Sequence, residues 1–263
     1  MSDARAGEAD RPEPDARSPG ADGLGSAANP DERQPKPFRL VKLVAASAAM
    51  AFSTAIAGLL AVVAFGVVFG RAAGPGFEVR AWAATAIGQL LLGALTLWRA
   101  PKRFGPNWRA AIGLRAVAFD RALAGRIALA LTVYWSWAVL VLILAGLFGG
   151  LRPPPGLVPH GAPAFAAFAL TAVVFAPVCE ETFFRGYVQA RAQAFLPPAV
   201  SIVLPAVLFA LAHFSGGFAQ PAVVFGLGVL AGQLRRASGS LVPGMVLHAV
   251  SNGGLVLLLA LAR

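Results

Sequence analysis

Charge is what this chain has least of. Only 13% of its 263 residues are Asp, Glu, Lys or Arg, about half the share of an ordinary soluble domain. Together with 57% apolar residues, that scarcity excludes a globule solvated on every side. A single cysteine, Cys179, excludes an internal disulfide and a cysteine zinc ribbon. It lies in an apolar run and reads as a buried small hydrophobe. Carboxylates are rarer still beyond the N-terminal region. Eight of the 12 fall within residues 1–32, only Glu78, Asp120, Glu180 and Glu181 remain, and no acidic side chain follows Glu181. There is no internal repeat, no P-loop and no HExxH helix, which removes phosphate-cradling and the commonest zinc-peptidase signature.

What the chain does have is long apolar runs. Residues 1–37 are rich in Asp, Pro, Gly, Ala and Arg with almost no large apolar side chains, so they are expected to form a disordered tail, with the membrane domain over 38–263. Seven apolar segments follow, at about 43–69, 81–98, 122–148, 164–183, 199–214, 221–234 and 241–262. The first three and the last can cross a ~30 Å hydrocarbon core, which needs about 17–25 residues. The fifth and sixth are short and require tilt or depth in the bundle. The fold class implied is all-α, a polytopic transmembrane bundle of about seven helices, with six to eight as the range.

The net charge of +10 raises nucleic acid as a partner, but the basic residues flank apolar runs instead of forming a stripe. That arrangement points to membrane orientation and to lipid, not nucleic acid. The linker 99–121 holds Arg99, Lys102, Arg103, Arg109, Arg115 and Arg121, and the first helix is preceded or opened by Arg33, Lys36, Arg39 and Lys42. Linker 70–80 holds two such residues, 149–163 one and 215–220 none. The positive-inside rule then places the N-terminus in the cytoplasm. The Ala-, Gly- and Arg-rich composition suggests a bacterial inner membrane.

An ionisable group inside an apolar helix is costly and is a functional candidate by default. The candidates are Glu180, Glu181 and Arg185, then His213, then His248 with Asn252. Glu181 and Arg185 are i,i+4 neighbours and can pair. Glu180 is rotated by about 100° from Glu181, lacks a partner on its own helix, and is the better candidate for proton chemistry. His248 and Asn252 are also i,i+4 and share a face. If the fourth helix runs to about residue 195, it forms a hairpin with the fifth around Pro197-Pro198. Glu180 and His213 then reach similar depths and can meet. His160 falls in a Pro/Gly loop and suggests no role.

At these residues the chain resembles the CPBP family of intramembrane proteases, which includes the type II CAAX prenyl endopeptidases. The blocks are Glu180-Glu181-x-x-x-Arg185, Phe209-x-x-x-His213 and His248-x-x-x-Asn252, and the resemblance covers about residues 164–256. It implies an endopeptidase acting on a membrane-associated peptide or protein. Glu180 would activate water with His213, His248 and Asn252 would stabilise the oxyanion, and Glu181 with Arg185 would support them. Peptide hydrolysis needs such a base and such donors. The family is also described as metalloproteases, so either no cofactor or one divalent metal such as zinc is implied. If a metal is bound, its ligands would be Glu180, His213 and His248 with an open position. The alternatives are a non-proteolytic scaffold, immunity or export partner of the same fold, and a small transporter or proton relay.

Overall fold

The computed structural model describes residues 34–69, 75–148, 159–214 and 217–262. The tail expected over residues 1–37 lies outside the described residues as far as 33; its last two residues already belong to the first helix. Among the described residues there are eight helices and no strand. They are α1 (Lys36–Phe69), α2 (Pro75–Phe104), α3 (Trp108–Ile112), α4 (Arg121–Leu147), α5 (Ala162–Gln193), α6 (Pro198–Ala212), α7 (Ala219–Ser238) and α8 (Val242–Leu261). Helix α5 is a single rod with two wider π turns, at Thr171–Phe175 and Thr182–Val188.

The helix ends follow from local chemistry. Asp120 caps α4, its side chain accepting from the Leu123 amide at 2.8 Å. Proline occupies the first turn of α5, α6 and α8, where its missing N–H costs nothing. Helices α3 and α7 stop at Gly113 and Gly239, whose φ values of 80° and 68° are left-handed.

Seven of the helices coincide with the seven apolar segments, extended at their ends by polar turns. The eighth, α3, is a five-residue helix inside the basic linker, where apolar patterning carries no signal for it. Helix α6, with 15 residues, is about 22 Å long, short of the hydrocarbon core. It packs chiefly against α7.

Polarity is arranged inside out. Large apolar side chains such as Phe52, Leu60, Trp98, Leu129, Val139, Ile143 and Leu257 face outward, while Glu180, Glu181, Arg185, Gln189, His248 and Ser251 are buried. Only a lipid surround makes both halves of that pattern favourable. Four described helices, over Gly76–Phe104, Arg121–Leu147, Ala162–Gln193 and Val242–Leu261, are long and apolar enough to cross a membrane. The molecule is a polytopic helical membrane protein.

Two clasps set the ends of the bundle. At one end α3 is pinned to the α7–α8 turn: the Leu241 amide donates to the Gly113 carbonyl at 2.9 Å, Arg235 Nη2 donates to the Ala111 carbonyl at 2.9 Å, and Ser240 Oγ donates to the Arg115 carbonyl at 2.7 Å. At the other end the Glu78 carboxylate at the start of α2 receives His160 Nδ1 at 2.7 Å. His160 thus fastens the start of α5 to the start of α2, a structural role that its loop position did not suggest.

Candidate active site

The site is built on α5. Helix α2 runs parallel to it, with Glu78 beside His160, Trp82 beside Phe168, and Phe104 beside Tyr187. The two backbones come close at Gly93, where an added Cβ would lie 3.1 Å from Cys179 Sγ. Cys179 is accordingly a buried free thiol used as packing. One residue further on, Glu180 points its Oε1 at α2 and accepts a hydrogen bond from Gln89 Nε2 at 2.7 Å. The sequence reading did not select Gln89. The available signal was that it is the single amide or charged side chain between Ala81 and Trp98.

Glu181 faces α8 and is completely buried. Its Oε1 receives two donors, Arg185 Nη1 at 2.9 Å and His248 Nδ1 at 3.0 Å. The expected ion pair is therefore present, but the carboxylate does more than neutralise Arg185. An ionised carboxylate only accepts, so its contact puts the proton of a neutral His248 on Nδ1. The remaining nitrogen, Nε2, then carries a lone pair and lies 3.9 Å from Glu180 Oε2. Glu180 Oε2 is buried and has no hydrogen-bond partner.

Arg185 is held by α6 and α7 as well. Its guanidinium lies 4.5 Å from the Phe209 ring centroid, and an added Cβ on Gly228 would come 3.0 Å from its Nη2. Phe209 is the common wall of the site. Its ring also contacts His213 at 4.5 Å and His248 at 5.8 Å between centroids, in edge geometry.

His213 is placed less centrally than the depth argument implied. The hairpin forms, and α5 and α6 meet around 194–197 as expected. However, α6 ends at Ala212, and His213 is the capping residue with φ −100°. Its Nδ1 is satisfied by the Phe209 carbonyl of its own last turn at 2.8 Å. Among the described residues no hydrogen bond or ion pair joins it to Glu180. The Phe209 ring connects it to His248 instead.

Asn252 also departs from expectation. In the first π turn of α5 the Ala176 amide reaches back to the Thr171 carbonyl, and residue 177 is proline. The Ala172 carbonyl therefore loses both backbone donors that could serve it. Asn252 Nδ2 supplies the missing bond at 2.7 Å. Its side chain ties α8 to α5 and has one further N–H to offer; it does not hydrogen-bond His248.

The three-ligand metal set entertained from sequence does not assemble. Among the described residues no group of three His, Cys, Asp or Glu is arranged to hold a metal ion. His213 in particular is turned toward its own helix, its Nδ1 on the Phe209 carbonyl.

Residues 162–254 match the family model described as type II CAAX prenyl endopeptidase Rce1-like. This stretch is similar to a CAAX-protease-type domain. The matched stretch takes in α5, α6, α7 and most of α8, and with them all seven residues of the three blocks. Helix α2 and Gln89 fall outside the match, although Gln89 hydrogen-bonds Glu180 at the centre of the matched stretch. No curated protein and no solved structure matches the chain.

Proposed function

We propose that the protein is an intramembrane endopeptidase that hydrolyses a peptide bond of a membrane-associated protein or peptide. The observation that carries this reading is the pairing of Glu180 Oε2, buried without a partner, with His248 Nε2 at 3.9 Å, the imidazole being oriented from behind by Glu181. A gap of that length is too long for a direct hydrogen bond and suits a water bound to both atoms. A base oriented by a second carboxylate is the recurring logic of hydrolytic sites.

In the reaction, the water between Glu180 and His248 gives its proton to the Glu180 carboxylate as its oxygen bonds to the substrate carbonyl carbon. The carbonyl electron pair moves onto oxygen. The second Asn252 N–H is an available donor for that charge. Collapse of the intermediate breaks the C–N bond, and Glu180 passes its proton to the departing nitrogen. One water is consumed and the carboxylate is regenerated. The positive-inside rule supports a cytoplasmic basic end and a cytoplasmic N-terminus, in a bacterial inner membrane on this reading.

The test uses purified protein in detergent and a library of plain and prenylated peptides. Wild type is expected to cleave a subset, and Glu180→Gln to lose at least about 100-fold in kcat while accumulating normally. A Glu180→Gln protein as active as wild type would refute the mechanism. A wild type that cleaves nothing favours a scaffold or relay of the same fold.

A further inference from the structure

We infer that Gln89, on a helix outside the matched stretch, is a positioning residue for Glu180. The inference rests on the peptidase reading and deepens it. Three observations carry it.

Gln89 lies one turn from Gly93 on α2, so the two share a face. Gly93 is a point of close approach between α2 and α5, at Cys179, next to Glu180. The close approach brings the amide within 2.7 Å of the carboxylate. A larger residue at 93 would hold the helices apart and leave Gln89 out of reach.

The bond also divides the carboxylate. Oε1 is occupied by the Gln89 donor, and Oε2 is left free facing His248. Glu180 has no partner on its own helix comparable to Arg185 for Glu181. Among the described residues, Gln89 is the group that hydrogen-bonds it. Without that bond the side chain is free to rotate about its last torsion, which is broad, and to lose its alignment with His248 Nε2.

Finally, the bond to Glu180 is the hydrogen bond that the Gln89 side chain makes among the described residues, its Oε1 being buried with no protein partner.

The experiment compares wild type with two variants that remove the donor, Gln89→Met, which keeps the length of the side chain, and Gln89→Leu, which is shorter and branched. Two readouts are taken on each purified protein. One is cleavage, resolved into kcat and KM. The other is the rate at which dicyclohexylcarbodiimide modifies Glu180, mapped by peptide mass, with Glu180→Gln as the blank. The expected result for Gln89→Met is a roughly 10- to 100-fold lower kcat, a KM within about twofold of wild type, and several-fold faster modification of Glu180 once its oxygen is released. Unchanged kcat overturns the inference, and so does lost kcat with unchanged modification, because Gln89 would then not act through Glu180. If wild type cleaves no peptide, the peptidase reading fails on its own. The modification rate then decides whether Gln89 restrains Glu180, and an unchanged rate overturns that too. Should Gln89→Met fail to accumulate, the Gln89→Leu protein carries the same two readouts.

Discussion

Glu181 is the residue whose role changes most between sequence and structure. From spacing alone it is half of an i,i+4 ion pair with Arg185. In the folded protein the same oxygen also fixes His248, so Glu181 links the charge balance of α5 to the tautomer of α8. Two substitutions separate the functions. Glu181→Ala strands a fully buried guanidinium and leaves His248 unoriented, and breaking a buried pair this way costs about 3–5 kcal/mol. Its expected outcome is a large drop in membrane accumulation, read by immunoblot against wild type. Glu181→Gln keeps an acceptor for the His248 N–H and removes the charge. It is expected to accumulate better than the alanine variant and to cleave more slowly than wild type. Equal accumulation of Glu181→Ala and wild type would refute the ion-pair role. The residues of the site were legible because each is a polar intruder in an apolar run. Their partners were not. That Asn252 answers a carbonyl orphaned by a π turn and Pro177, or that Gln89 reaches Glu180 from 91 positions away, depends on which helices lie side by side, and periodicity holds no record of that.

At the scale of helices, packing around the site depends on small residues on α7. A Cβ on Gly228 would lie 3.0 Å from the Cβ of Ala206 and 3.0 Å from Arg185 Nη2, and one on Gly232 would lie 2.9 Å from Ile202 Cγ2. Neither Ala206 nor a β-branched Ile202 can swing aside, so any added methyl pushes α6 away from α7. Gly228→Ala is expected to destabilise by about 1–3 kcal/mol, seen as a lower thermal midpoint of tryptophan fluorescence in detergent. Gly125→Ala supplies the contrast. Its Cβ meets nothing within 4 Å, and alanine is the better helix former by up to about 1 kcal/mol, so its midpoint is expected to hold or rise. A Gly228→Ala midpoint equal to that of Gly125→Ala would show that the close approach is not limiting. The order and number of the long helices were legible, because runs of apolar side chains are bounded by Pro, Gly and Arg, but their polar ends run as far as Lys36, Phe104 and Gln193, beyond the apolar segments. Helix α3 and the π turns were not, since a five-residue turn in a basic linker and a one-residue widening of a helix barely disturb hydropathy.

For the whole molecule, the distribution of charge gives a handed prediction. The basic linker around Arg103 and the α7–α8 turn lie at one end of the bundle, joined through Gly113 and Leu241. The Glu78–His160 clasp lies at the other, where the flanking loops hold few Lys or Arg. An odd number of crossings between those ends follows from α4 alone, a 27-residue span that leaves from the basic linker. If the basic end is cytoplasmic, a probe that cannot enter the cell reaches residue 160 and not residue 103. The native thiol is buried, so a Cys179→Ser background is a quiet one in which to place single cysteines. In intact cells, His160→Cys is expected to react with a membrane-impermeant maleimide, whereas Arg103→Cys is expected to react after permeabilisation. The opposite pattern would invert the molecule in the membrane. It would also reverse the side from which a substrate chain reaches Glu180, so orientation bears directly on which peptides the site could meet.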